Sequence, residues 1–208
     1  MPKQFHRRHL LAMIAAPAIA GIGAATLLPA TASAEPVLGD IVLGDDAAPV
    51  TVIEYASFTC PHCAAFHLDT WPQFKAEYVD TGKVRFILRE VYFDREGLWA
   101  SMAARCGDAS AFYPMVDQFM KKQRLWAAAA RDNNSTEIRK IARLNGLSSA
   151  EIDACFSDQG YARTLLEAYQ KNAAADGVRS TPTFIINGAK HEGNMPFEQI
   201  AALIDAAL

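Results

Sequence analysis

Cys60-Pro61-His62-Cys63 is the stretch of this sequence best equipped to do chemistry. Two cysteines separated by two residues can close a small disulfide ring and open it again. They follow an apolar run, Val50 to Phe58, and precede a helical pattern starting near Ala64. That setting puts Cys60 at a helix N-terminus, where free N–H groups and the positive end of the helix dipole favour a thiolate. His62, when protonated, adds a second source of positive field. A thiolate stabilised in this way favours the reduced pair and makes the disulfide oxidising. The same motif also serves as half of a zinc site, with His62 and His67 nearby, or as a structural disulfide. A zinc site calls for a second CxxC or an HxxxH downstream, whereas Cys106 and Cys155 stand singly in helical patterns. The spacing favours a redox pair, with no metal and no organic cofactor.

The flanking pattern describes an α/β frame that could hold such a pair. Glu35 to Val42 reads as a short leader strand, and Gly44 to Pro49 as a turn. Val50 to Phe58 reads as a strand buried on both faces, interrupted by the acid Glu54. An acid in a central strand is costly unless it has a partner or a task. A helix over Ala64 to about Val79 carries Phe66, Trp71, Phe74 and Tyr78 near helical spacing, with Pro72 expected to kink it. Val84 to Tyr92 follows as a strand, which makes a βαβ unit with parallel strands. From Gly97 to about Asp176 only helical periodicity remains. Asn134 with Glu137 and Ser148 with Glu151 look like capping boxes, one helix stops at Asn145-Gly146, and the last of this group runs from about Tyr161 to Ala175. Ala127–Ala130 reads as helix or linker. Thr181 to Ile186, the turn Asn187-Gly188, and Ala189 to Glu192 form a hairpin, and Pro196 opens a final amphipathic helix. The order is βαβ, helical insertion, ββα.

The chain has 208 residues, 51% of them hydrophobic and 21% charged, which is ordinary for a globular domain. Lys3, Arg7 and Arg8 precede an Ala-rich apolar run from Leu10 to Leu28, and Ala32-Ser33-Ala34 supplies small residues for cleavage. Residues 1–34 therefore read as an export signal, of the twin-arginine or the Sec type, with an uncleaved anchor as the alternative. Cleavage would leave 174 residues and move the net charge from −3 to about −6, because three basic residues leave with the signal. Nothing in that charge balance points to nucleic acid. An even count of four cysteines suits a compartment where disulfides persist.

Two segments, Glu54-Tyr55-Ala56-Ser57-Phe58-Thr59-Cys60-Pro61-His62-Cys63 and Thr181-Pro182-Thr183-Phe184, resemble the DsbA-like periplasmic thiol–disulfide oxidoreductases of the thioredoxin superfamily. The resemblance covers essentially all of 37–208 and implies a thioredoxin fold with an inserted all-helical subdomain, about 97–176, within a domain spanning 35–208. It implies that Cys60 is the exposed nucleophile and Cys63 the buried resolving thiol. His62 would stabilise the Cys60 thiolate, and Pro182 would be a cis-proline packed on the redox pair. Pro61, His62, Thr181 and Pro182 would contact substrate. Glu54 would relay a proton to or from Cys63, against the plainer reading of an acid satisfied by backbone or water. Thr181 departs from the valine of the namesake enzyme. Cys106 and Cys155 depart from the two-cysteine pattern. As in alphaproteobacterial relatives with a second pair, they are expected to form a structural disulfide, against the alternative of two separate buried thiols.

The resemblance implies a protein disulfide oxidase acting on unfolded or reduced exported proteins. It would be monomeric and periplasmic, and reoxidised by a quinone-linked membrane protein of the DsbB-like or vitamin-K-epoxide-reductase-like (VKOR-like) kind. A disulfide isomerase or reductase on the same fold, or a non-catalytic binding protein for unfolded chains, are the alternatives.

Overall fold

Val50–Ala56 (β2) is the middle strand of a five-stranded sheet, and its alternation explains both faces of the fold. Val50, Val52 and Ala56 enter the main core, while Tyr55 joins Val91, Ala173 and Ile185 on the other face. The computed structural model describes residues 36–131 and 135–208. The expected export signal, Glu35 and the Asn134 half of the first capping box lie outside the described residues. Val42–Leu43 (β1) pairs antiparallel with Val84–Glu90 (β3), and β3 runs parallel to β2. Thr183–Ile186 (β4) pairs antiparallel with β2 and with Ala189–Glu192 (β5), giving the order β1-β3-β2-β4-β5. The β4–β5 turn has φ of 45° at Asn187 and 88° at Gly188, the left-handed pair that a tight two-residue hairpin requires.

The crossover from β2 to β3 is a helical run of alternating character. Pro61–Ala65 (α1) and Trp71–Phe74 (α2) are α-helical, and the turns Phe66–Thr70 and Lys75–Val79 are widened to the π type. The widening of the first belongs to Pro72. Proline lacks an N–H and crowds the carbonyl four residues back, so the preceding turn opens and the Trp71 N–H donates to the Phe66 carbonyl five residues away. The expected kink is thus absorbed as a wide turn, which carries Phe66, His67 and Thr70 into the core. The helix also starts at Pro61, three residues earlier than the apolar spacing suggests, because proline is well suited to a first helical turn.

Aromatic rings fasten this run to the sheet. Phe66 packs on Phe184 with ring centroids 4.7 Å apart, and Trp71 on Phe86 at 4.4 Å. Phe197–Asp205 (α9) covers the same layer, inserting Ile200 and Ile204 and accepting a hydrogen bond from the Tyr78 hydroxyl at Asp205.

Among the described residues, six α-helices lie between β3 and β4: Arg95–Ala104 (α3), Phe112–Lys121 (α4), Gln123–Arg131 (α5), Thr136–Leu144 (α6), Ser149–Ser157 (α7) and Gln159–Ala175 (α8). The Ala127–Ala130 run falls inside α5. The Ser148–Glu151 capping box opens α7, with both reciprocal hydrogen bonds made. The bundle buries Phe112, Met115, Phe119, Trp126, Ile138 and Ile141. Cys106, just past α3, and Cys155 in α7 are joined by a disulfide with 6.2 Å between their Cα atoms.

The leader segment departs from its expected strand. Of its described residues only Val42 pairs with the sheet, together with Leu43 just beyond it. Val37 instead donates its N–H to the Arg105 carbonyl, and Asp40 takes a two-pronged hydrogen bond from Arg89. Arg105 is the hub of this region. Its guanidinium donates to both oxygens of buried Glu90 at 2.5 and 2.7 Å and to the carbonyls of Val37 and Gly39. Removing one partner of such a buried pair strands the other charge. Arg105→Met is therefore expected to lower unfolding free energy by about 3–5 kcal/mol in urea titration. A loss below about 1 kcal/mol would show that Glu90 is not held by this contact. The Cys106–Cys155 bridge closes a loop with a sequence separation of 49. Replacing both cysteines with alanine, in a Cys60→Ala/Cys63→Ala background, is expected to cost about 2–4 kcal/mol by the same titration.

Candidate active site

The chain leaves β2 at Ala56 and turns sharply before the helix. The Cys60 N–H donates to the Ser57 carbonyl at 3.1 Å, and the Thr59 hydroxyl donates to Asp94 at 2.6 Å. Asp94 also caps α3 by accepting from the Gly97 N–H, so one carboxylate ties the residue before Cys60 to the first helix of the insertion. On the other side, buried Gln123 of α5 donates through Nε2 to the carbonyls of Phe58 and Cys60, at 2.8 and 2.9 Å. The active-site turn is therefore held by side chains from two helices of the insertion. Neither Asp94 nor Gln123 is legible as a site residue in the sequence, since each lies more than thirty positions from the part of the turn it holds.

Cys60 and Cys63 are both free thiols and occupy unlike places. Cys60 is half-buried at the position preceding α1, whereas Cys63 is fully buried. The Cys60 thiol is lowered from 9.0 to about 5. The largest cause is a hydrogen bond donated by the Cys63 S–H to the Cys60 sulfur, with burial opposing it. The Thr181 hydroxyl, buried and without a hydrogen-bond partner of ordinary geometry, adds to the lowering, as do the backbone N–H groups of Cys63 and His62. Cys63 is pushed the other way. Burial raises its thiol, then the hydrogen bond to Cys60, then the charge of Glu54. One thiol is thus prepared to ionise and the other to stay protonated.

The sequence-derived site residues fall at this point with differences of detail. Pro61 and His62 are exposed beside Cys60. His62 acts on the Cys60 thiol through its backbone N–H. The Thr181–Pro182 bond is cis, Pro182 is buried, and the Thr181 carbonyl accepts from the Cys60 thiol at 3.4 Å. Thr181 therefore meets Cys60 through its carbonyl. Glu54 is fully buried, on the face of β2 that looks toward α1. It is held by a side chain, with Glu54 Oε2 lying 2.9 Å from His67 Nε2. His67 is the residue that the sequence reading considered only as a zinc neighbour. Its place, four residues after buried Cys63 on the same helical run, is the signal that could have found it. Cys106 and Cys155 lie in the helical insertion, away from the pair. Among the described residues, no three His, Cys, Asp or Glu side chains converge on a point that could hold a metal ion, and no helix is long and apolar enough to cross a membrane.

Comparison with known proteins agrees with this geometry. A family profile described as Thioredoxin matches residues 37–206. A Rickettsia bellii protein named for protein-disulfide oxidoreductase activity is 35% identical over 171 residues, covering 81% of this chain and 64% of its own. The chain thus spans somewhat less than two thirds of that relative's length. Wolbachia pipientis alpha-DsbA1 superposes with a TM-score of 0.76 at 28% identity, covering 83% of this chain and 92% of its own. A Novosphingobium aromaticivorans structure described as a protein-disulfide isomerase shares the fold, with a TM-score of 0.69 at 24% identity over 80% of this chain and 98% of its own. With a cysteine pair at the β2–α1 junction, a cis-proline beside it and a helical bundle between β3 and β4, this chain belongs to the thioredoxin family, and its fold is similar to that of the DsbA-like structure.

Proposed function

We propose that this chain is a protein disulfide oxidase that introduces disulfides into exported proteins through Cys60 and Cys63. The observation that carries the reading is the opposition between the two thiols, Cys60 lowered to about 5 and Cys63 raised. A dithiol whose first sulfur is a comfortable thiolate is favoured over the disulfide, so the disulfide passes readily to a substrate. A substrate thiolate attacks Cys60 Sγ, the Cys60–Cys63 bond breaks, and its electron pair goes to Cys63. A second substrate thiolate then attacks the substrate sulfur of the mixed disulfide, and Cys60 leaves as a thiolate.

The other residues take their places around these steps. Pro61, His62, Thr181 and Pro182 form the surface that meets the substrate backbone, and Glu54 exchanges a proton with Cys63. Residues 1–34 direct export, by the twin-arginine or the Sec route, and 35–208 work in the periplasm as a monomer with the helical insertion at about 97–176. The reduced enzyme returns its electrons to a quinone-linked membrane partner of the DsbB-like or VKOR-like kind.

Turnover of a reduced peptide in glutathione buffer tests the reading. Oxidation that continues past one equivalent supports an oxidase, and its absence leaves a protein that holds unfolded chains. A second measurement separates oxidase from reductase. In a Cys106→Ala/Cys155→Ala background, the reduced protein is expected to melt at a higher temperature than the oxidised one. A higher midpoint for the oxidised form would make a reductase the better account.

The pH dependence has a definite sign. The folded Cys60 thiol titrates below its ordinary value, so it contributes stability to the reduced protein that is full above about 9 and is lost as pH falls through about 5. The gap between reduced and oxidised melting temperatures is expected to widen from pH 5 upward. Thiolate absorbance should appear near pH 5 and be absent in Cys60→Ser. A gap that stays flat between pH 5 and 8 would contradict the stabilised thiolate.

A further inference from the structure

The Glu54–His67 pair is buried deeper than an ordinary ion pair and is incompletely satisfied. Both side chains are at most 1% exposed, with Oε2 and Nε2 2.9 Å apart. The other two polar atoms, Glu54 Oε1 and His67 Nδ1, are buried with no hydrogen-bond partner. Orphaned polar atoms are rare in a folded core because each forgoes its hydration. The surroundings offer little else. Across the sheet Glu54 is flanked by Leu88 on β3 and Phe184 on β4, and the His67 ring lies against Phe66 and Trp71. Two other titratable groups share this space. Tyr113 of α4 has its hydroxyl engaged with the Ile41 and Phe86 carbonyls and the Leu88 N–H. Cys63 of α1 is the other, and the charge of Glu54 acts directly on its thiol.

We infer that His67 is the positioning residue that makes Glu54 a working proton carrier for Cys63, by donating its Nε2–H to Glu54 Oε2 whenever the carboxyl is ionised. This rests on the redox reading of Cys60 and Cys63 and adds a residue to it. When a substrate thiolate opens the disulfide, Cys63 receives the bond's electron pair and takes the proton from Glu54. The carboxylate left behind is a bare charge in an apolar layer unless His67 meets it. In reoxidation the Cys60 thiolate attacks a disulfide of the reoxidant and releases one of its thiolates. Cys63 then gives its proton back to Glu54 as its sulfur attacks Cys60, and the second reoxidant thiolate leaves. Atoms and charges balance in each direction, and the proton crosses only between Cys63 and Glu54.

The test isolates the step that Cys63 performs. Reduced protein is mixed with oxidised glutathione, and release of glutathione from the Cys60 mixed disulfide by Cys63 is followed across pH. This single turnover can be measured in any dithiol of this type, so its outcome is separate from whether the chain turns over reduced peptides. In His67→Leu the ionised carboxyl loses its donor, which disfavours the proton-accepting form of Glu54. Release should slow about tenfold or more at neutral pH and recover as pH rises, within the range that positioned proton transfer contributes. The Cys60 thiolate should still titrate near 5, since its causes lie in Cys63, Thr181 and the backbone. His67→Gln, which keeps an N–H donor, should restore much of the rate. Glu54→Gln should slow release at all pH values, and adding His67→Leu to it should change nothing further. If His67→Leu does not fold, His67→Met, which also lacks a donor, takes its place in the comparison with His67→Gln. An unchanged pH profile in His67→Leu, a His67→Gln variant no faster than His67→Leu, or additive effects in the double variant would overturn the inference.

Discussion

The unequal burial of two neighbouring thiols, Cys60 half-buried and Cys63 fully buried, sets the requirement that the rest of this molecule meets. For the pair to favour a thiolate at one sulfur, Cys60 must keep some contact with water and polar donors, while Cys63 must be dry. Three elements converge to produce the asymmetry. The end of β2 delivers Cys60 to a turn, α1 carries Cys63 inward within its first turn, and the loop around cis-Pro182 brings Thr181 against Cys60 from the far side. Displacing any one of them would leave a cysteine pair with the same sequence and a weaker division of labour.

The dryness of Cys63 creates a second demand. In the proposed exchange a sulfur that becomes an anion and afterwards a thiol needs a proton source at that depth. Glu54, on the core-facing side of β2, is the group proposed for it, and a carboxylate there is costly without a donor. The wide turn ahead of Pro72 brings His67 inward to meet it. A helix irregularity, a buried histidine and a buried acid thus belong to one arrangement, and the aromatic packing of Phe66, Trp71, Phe86 and Phe184 around it keeps water out.

The helical insertion does more than cover the sheet. Gln123 and Asp94 reach from α5 and from the start of α3 to the turn holding Cys60, and Phe58 packs on Phe119 at 5.4 Å. Arg105 anchors the far end of α3 to β3 and to the leader segment. The redox turn is therefore clamped between sheet and bundle, which limits the freedom it loses when substrate binds.

Much of this could be read from residue order alone, because local rules act over short distances. The spacing of Cys60 and Cys63, the apolar run before them, the Asn187-Gly188 turn and the Ser148–Glu151 cap each depend on neighbours within a few positions, and each recurs in the fold at its expected place. The limits of that legibility are equally physical. The leader forms only a two-residue strand because Arg105 and Arg89 compete for its backbone and for Asp40, a contest between groups some fifty or more positions apart. Pro72 shows in the sequence as a break, but only packing decides that the break becomes a wide turn that buries His67. The lowering of Cys60 comes first from its partner thiol and only afterwards from the residues between them, which depends on how deeply Cys63 is buried. Gln123 and Asp94 carry no signal of a role at this site in the sequence. A side chain that holds a distant carbonyl or hydroxyl looks like any polar surface residue until the tertiary structure brings the two together.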